Sequence, residues 1–174
     1  HQSRKELLKE TLDRMRQANT DPLTKLPNRR FLEAVFFEKA MQDPAAYFPL
    51  SAVVVDIDHF KKINDNYGHD VGDQVLIHVT SLMKEAVRSS DVVARTGGEE
   101  FLVLFPHATL TQAVKLAEKM RRLIEERPFV AGDINHPITA SFGVATALTD
   151  TNLHASLKQA DDNLYKAKNA GRNR

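Results

Sequence analysis

Between Leu50 and Ile57 the chain reads LSAVVVDI, a β-branched apolar run with no helix breaker, and nothing else in its 174 residues restricts the fold as sharply. A strand that is apolar at consecutive rather than alternate positions is covered on both faces, so the run predicts a central strand with a layer above and a layer below. It ends in acid, Asp56-Ile57-Asp58. Strand ends are where α/β proteins build their sites. A carboxylate buried without a partner is costly, so acids at such a place either cap the following helix or hold a cation. Asp58, just before a helix expected from Phe60, is the better cap; Asp56 is the better ligand.

The remaining pattern supplies the layers. A charged N-terminal helix is predicted from Ser3 to about Asn19, with Leu8, Leu12 and Met15 spaced as the seam of a short helix that could pair with its own copy. Asp21-Pro22 breaks it, and a second amphipathic helix runs from about Arg29 to Met41 before Asp43-Pro44. Beyond the central strand come a short helix near Phe60–Asp65, a break at Tyr67-Gly68, and a long helix from about Asp70 to Val87. Asp91–Thr96 and Glu100–Phe105 read as strands joined by a two-residue Gly97-Gly98 link, glycine being favoured because such turns need positive φ. Leu110–Glu126 is helical, Phe129–Ala147 holds one or two strands broken near Gly132-Asp133 and Asn135, and a final helix spans Asn152 to about Asn169. A hairpin combined with helical crossovers predicts an α/β domain with a mixed central β-sheet flanked by helices.

The hairpin places a second acidic pair, Glu99-Glu100, beside two glycines, where a bulky ligand could approach the backbone. Taken alone these are ordinary residues of a solvated turn. If the hairpin lies beside the Asp56 strand, two sets of carboxylates converge, and such a cluster is stable at neutral pH only with cations between them. Hard oxygen donors point to Mg²⁺, which binds through a few carboxylates plus substrate phosphates. Phosphates also need positive charge: Lys61 lies just past the first acidic pair, and Lys168 and Arg172 close the last helix. Each alone is an ordinary surface charge.

Composition excludes several classes. A formal net charge of +1, from 24 basic and 23 acidic residues, provides no field for a nucleic-acid polymer or an anionic membrane, so any nucleotide is held locally. There is no cysteine, which excludes disulfides and thiolate metal sites and fits a cytoplasmic setting. The apolar stretch Leu50–Val55 is far short of the ~20 residues of a membrane helix. The chain opens His1-Gln2-Ser3 without an initiator Met, which reads as a piece of something longer, such as the cytoplasmic part of a membrane-anchored protein.

Five segments, in order and at matching spacing, resemble the GGDEF family of diguanylate cyclases: DPLTKLPNRR (Asp21 to Arg30), DIDHFKKINDNYGHDVGD (Asp56 to Asp73), RTGGEEF (Arg95 to Phe101), ASFGVA (Ala140 to Ala145) and ADDNLYKAKNAGRNR (Ala160 to Arg174). The signature is present in its Glu variant, Gly97-Gly98-Glu99-Glu100-Phe101, which the family also uses in active members. The resemblance implies residues 1–20 as a helical stalk or linker, and 21–174 as a catalytic domain whose GGDEF fold resembles nucleotide cyclase and polymerase palm domains. It implies condensation of two GTP into cyclic di-GMP with release of two pyrophosphates. Asp56, the backbone carbonyl of Ile57, Glu99 and Glu100 would hold one or two Mg²⁺, with Mn²⁺ as an alternative, and Glu99 would also accept the proton. Asn64 and Asp73 would hold guanine. A carboxylate accepts from both N1–H and the exocyclic amine of guanine, which adenine does not offer. Lys61, Lys168 and Arg172 would contact the triphosphate, Lys61 stabilising charge as the reaction proceeds.

One domain binds one GTP, so the resemblance implies a homodimer, with the N-terminal helix as the stalk through which an upstream sensory domain sets its geometry. Arg88-Ser89-Ser90-Asp91 falls at the family's RxxD position, where product binds and inhibits; as a bare pattern it is also a helix-end Arg and a strand-start Asp. The helix from Leu110 adds Lys119, Arg121 and Arg122, but family members often carry Arg where Lys119 stands, which implies weaker inhibition. Two other readings stand beside this one. A catalytically inactive GGDEF domain would act as a cyclic di-GMP receptor through Arg88 and Asp91. Another nucleotidyl transferase or cyclase with a palm-like sheet would need only the acids.

Overall fold

In the computed structural model, which describes residues 2–174, the expected central strand β1 (Leu50–Ile57) is buried at every position. His1, the first residue of the expected stalk, lies outside the described residues. Side chains alternate across a strand. Val53, Val55 and Ile57 therefore enter one core with Val75, Val79 and Met83 of α5 (His69–Ala86) and Met120 and Ile124 of α6 (Leu110–Glu126). Leu50, Ala52 and Val54 enter the other with Phe36, Leu153, Ala160 and Leu164. The last three belong to α7 (Leu153–Asn169). Each fully buried Val, Leu or Ile contributes about 2 kcal/mol. A charge at Val55 would break the sheet from within.

The sheet order is β2–β3–β1–β6, with β2 at Val92–Arg95, β3 at Glu100–Pro106 and β6 at Ala140–Ala147. Its strand pairings are antiparallel, so the central sheet flanked by helices is as expected but its ladders are not of mixed sense. The connections explain this: after β1 the chain runs through α4 (Phe60–Tyr67) and α5 to the outer strand β2, then turns back through β3 against β1. A parallel bridge, Asn28 to Arg95, touches the outer edge. The stretch from Phe129 holds three strands, not one or two. β4 (Phe129–Ala131) and β5 (Ile134–His136) form a separate hairpin, and Asn135 sits within β5 instead of breaking it.

The second helix is α2 (Arg29–Phe31) and α3 (Phe37–Gln42) joined by a π-helical stretch at Leu32–Phe36, which buries Leu32 and Phe36 against the sheet. Asn28 caps it, accepting from the Phe31 N–H at 3.0 Å. α1 (Arg4–Ala18) starts from a capping box between Ser3 and Glu6 and buries none of its residues; Leu8, Leu12 and Met15 are all exposed. Among the described residues no helix is long and apolar enough to cross a membrane.

Gly143 on β6 sets how close α7 comes. A Cβ there would lie 2.0 Å from the Ala160 carbonyl oxygen and 2.3 Å from the Leu164 nitrogen. The helix backbone rests directly on the strand, and its C-terminal turn is carried to the acidic end of β1.

Candidate active site

The antiparallel register pairs Asp56 with Glu100 across β1 and β3. Both carboxylates occupy the face that carries Val54 and Leu102, beneath α7. Asp56 is 8% exposed and is held by Lys168, Nζ to Oδ2 at 2.9 Å. Burial pushes the Glu100 carboxyl above the ordinary range, and the negative charges of Asp161 and Asp56 push it further, against a hydrogen bond from Thr96 and the charge of Arg29. Glu100, Asp161, Thr96 and Arg29 line a common cleft of about 480 Å³. The backbone of Glu99 is fixed to β1, its carbonyl accepting from the Ile57 N–H at 3.2 Å. Asp56, Ile57, Glu99 and Glu100 are thus brought together at one sheet end.

The hairpin is not closed by a two-residue link. Its connection is Thr96–Glu99, and both Thr96 and Gly97 N–H groups donate to the Glu100 carbonyl, at 3.0 and 3.3 Å. Neither Gly97 nor Gly98 adopts positive φ, so the turn does not need glycine for its backbone. A Cβ at Gly98 would meet nothing within 4 Å, and one at Gly97 only the Glu100 Cβ at 3.4 Å. What the two glycines provide is open space over the backbone beside the acids.

Arg95 shapes this turn from below. Its Nε donates to the Gly97 and Gly98 carbonyls at 3.1 and 3.2 Å, and its Nη1 to both Asp21 oxygens at 3.2 Å. Burial raises the Asp21 pKa, but hydrogen bonds from the Thr24 hydroxyl and amide, together with Arg95, outweigh it and leave the carboxyl below its ordinary value. Arg29 adds a bond to the Thr96 carbonyl at 3.3 Å. Sequence reasoning assigned none of these residues a role. Asp21 reads as part of a helix break and as the first residue of the DPLTKLPNRR match, with no role of its own; the available signal is an Arg directly before a glycine-rich turn, a donor fork next to otherwise unpaired carbonyls.

Asp58 corrects another expectation, because it caps nothing. The residue before α4 is His59, in the left-handed region at φ 56° with no side-chain cap. Asp58 is instead 6% exposed and accepts from Thr139 Oγ1 and Ser141 Oγ at 2.7 Å each and from the Asn173 N–H at 3.1 Å. Burial with full satisfaction explains a carboxylate that needs neither helix nor cation.

Asn64 lies on α4 and Asp73 on α5, two helices packed on each other. The Asn64 Oδ1 is enclosed yet has no protein hydrogen-bond partner, and it sits where a Cβ on Gly72 would fall, 1.8 Å away. Asp73 is exposed. Lys61, in the first turn of α4, is exposed and Arg172 follows α7 at the surface. Lys168 is the one expected phosphate contact already engaged, by Asp56.

Arg88 and Asp91 sit apart from this end of the sheet and satisfy one another. The Arg88 Nη2 donates to Asp91 Oδ1 at 2.9 Å and Nε to Oδ2 at 3.2 Å, while the Arg88 amide also reaches Oδ2 at 2.7 Å. The Asp91 side chain is fully buried. On α6, Arg121 and Arg122 are both tied to Glu118, leaving Lys119 exposed without an ion pair among the described residues.

Among the described residues no three acidic or histidine side chains form a preassembled metal cage. The donor chemistry nonetheless fits a hard divalent cation: Glu100 is pushed up by burial and by two neighbouring carboxylates, and one lysine supplies the local counter-charge to Asp56. A site completed by substrate phosphates suits Mg²⁺, which binds through one or two carboxylates.

Comparison with known proteins places this geometry in context. The family model described as "Diguanylate cyclase, GGDEF domain" matches residues 18–174. The chain is 41% identical over 159 residues to the response regulator PleD of Caulobacter vibrioides, covering 90% of this chain and 35% of that protein. It is 39% identical over 162 residues to the diguanylate cyclase DgcP of Pseudomonas aeruginosa, covering 93% and 24% respectively. The chain therefore spans well under half of these relatives' length. Among solved structures, the coiled coil and GGDEF domain of DgcB from Caulobacter crescentus in complex with c-di-GMP superposes with a TM-score of 0.84 at 31% identity, covering 97% of this chain and 91% of that one.

Proposed function

Since this chain belongs to the GGDEF domain family of diguanylate cyclases, we propose that it condenses two GTP molecules into cyclic di-GMP with release of two pyrophosphates. The observation that carries the reading is the register of Asp56 with Glu100, which sets two acids side by side at the end of a buried strand, next to an open glycine turn.

In this reading Asp56, the Ile57 carbonyl, Glu99 and Glu100 hold one or two Mg²⁺, with Mn²⁺ as an alternative. When bound, the metal lowers the pKa of the attacking hydroxyl and neutralises the leaving group. The 3′ hydroxyl of one GTP forms a bond to the α-phosphorus of the other, the α–β phosphoanhydride breaks, and pyrophosphate departs; a second such step closes the ring. Glu99 accepts the hydroxyl proton. Lys61, Lys168 and Arg172 bind the triphosphate, Lys168 leaving Asp56 to do so, and Lys61 stabilises developing charge. Asp73 accepts from guanine N1–H and the exocyclic amine. Asn64, on the helix packed against that of Asp73, supplies the second guanine contact.

Positioning does most of the work in such a reaction, so two domains must face one another. We assign that to a homodimer in the cytoplasm, with α1 pairing along its exposed Leu8, Leu12 and Met15 as the stalk below an upstream sensory domain. Product inhibition would act through Arg88 and Asp91, with Lys119 contributing.

The test is turnover of GTP with Mg²⁺, followed by pyrophosphate release and mass spectrometry of the nucleotide product against protein concentration. Cyclic di-GMP should form at a rate rising more steeply than protein concentration. Tight cyclic di-GMP binding with no product at high protein concentration would instead support the receptor reading.

A further inference from the structure

Three consecutive residues after α7 have positive φ: Gly171 at 122°, Arg172 at 64° and Asn173 at 50°. Glycine there is ordinary, the left-handed residue of a helix cap in which the Arg172 N–H returns to the Ala167 carbonyl at 3.0 Å. Asn173 is among the few side chains that enter this region readily, but Arg172 is not, because the Cβ crowds the backbone there and the conformation persists only where the surroundings hold it.

The surroundings here hold it on every side. The buried Asp58 carboxylate accepts from the Asn173 N–H at 3.1 Å. The Asn173 side chain donates to Glu125 at 2.7 Å and accepts from Arg121 at 3.1 Å, both on α6. The Arg174 carbonyl takes the Phe142 N–H of β6 at 3.0 Å. Asp58 is itself fixed by Thr139 and Ser141. These bonds converge on the residues following Arg172, while the Arg172 side chain makes no bond of its own among the described residues.

We infer that Asp58 is a positioning residue for Arg172: by holding the Asn173 amide, with Asn173 clamped in turn to α6, it fixes the left-handed backbone that carries the exposed Arg172 side chain, four residues beyond Lys168. The inference rests on the triphosphate contact proposed above for Arg172. It also gives the second acid of Asp56-Ile57-Asp58 a function distinct from the first. Asp56 pairs with Lys168 on α7, whereas Asp58 bonds β6, the Thr139 hydroxyl just before it and the chain's last residues, and acts through the latter.

A double-mutant cycle on GTP turnover tests this, using Asp58→Asn, Arg172→Ala and both together, with Asn173→Ala as a second route to the same loss should Asp58→Asn fail to fold. Asp58→Asn and Asn173→Ala should each raise KM for GTP by about tenfold, the scale of one charge-assisted contact, with little change in kcat. In the Arg172→Ala background neither should add to the effect of Arg172→Ala alone, since a residue acting through Arg172 has nothing left to act on. Fold-changes that multiply instead of merging would overturn the inference, as would a normal KM in both clamp variants. The same cycle read as Kd for the α,β-methylene analogue of GTP separates this from the cyclase reading. Wild-type protein that binds the analogue but makes no product refutes the cyclase and leaves the clamp to be judged on Kd; wild-type protein that binds nothing refutes both.

Discussion

Two acid-and-base constellations on this chain use the same side chains and do opposite things. At the Arg88–Asp91 loop one guanidinium meets one buried carboxylate, and the Arg88 amide shares it. Every charge there has its partner. At the end of the sheet, Glu100 is pushed above its usual pKa by burial first and then by the charges of Asp161 and Asp56, with Arg29 opposing the shift and Lys168 paired to Asp56. Balanced charge holds a loop, whereas an excess of carboxylate stores an affinity for cations. A ligand at Arg88 would first have to compete with Asp91, whereas a cation at the sheet end would relieve repulsion.

The contrast is broken most forcefully at the acids. Glu99→Gln should lower cyclic di-GMP formation by about 10³-fold, the weight of a lost proton acceptor, while the melting temperature stays at the wild-type value. Near-normal turnover by pyrophosphate release would remove Glu99 from its role. Asp73→Ala should reduce the preference for GTP over ATP by roughly a hundredfold, measured as the ratio of kcat/KM values, and an unaltered ratio would count against the guanine contact.

The balanced loop should respond in the other currency, stability. Arg88→Ala leaves the enclosed Asp91 short of donors and should cost about 1 kcal/mol in chemical denaturation, the low end for an orphaned acceptor because Arg88 is half exposed. It should also raise the inhibition constant of cyclic di-GMP by about tenfold. A variant that loses neither would make the loop a bystander.

The smallest effect concerns the support of the turn. The folded-state pKa of Asp21 lies below 3.8, so its stabilising contribution is complete above that value and is lost as pH falls through the lower, folded pKa. Thermal melts taken from pH 5 downward should therefore fall less steeply for Asp21→Asn than for wild type. Parallel curves would detach Asp21 from acid stability.

How much of this was legible in advance follows the range of each interaction. The doubly buried β1 shows in LSAVVVDI because two covered faces demand an unbroken apolar run, and α1, α6 and α7 show as helical stretches close to the bounds they adopt. The convergence of Asp56 with Glu100 was conditional on the hairpin's neighbour, since register across strands far apart in sequence leaves no local mark. Asp58 was misjudged for the same reason: its partners Thr139, Ser141 and Asn173 are more than eighty residues away. At Gly97 and Gly98 the residue type suits two needs, positive φ and access to the backbone, and only the second is met here.

The bare contact at Gly143 carries a consequence for how this centre tolerates change. Helix and strand there touch main chain to main chain, so the gap between them is fixed by atoms common to every residue and has no rotamer through which to adjust. A single methyl inserted at that seam would act as a shim, tilting the whole rod and lifting its far end, where Lys168 meets Asp56. The setting of the acidic cluster is thus gauged at Gly143, a residue with no side chain to contribute to it.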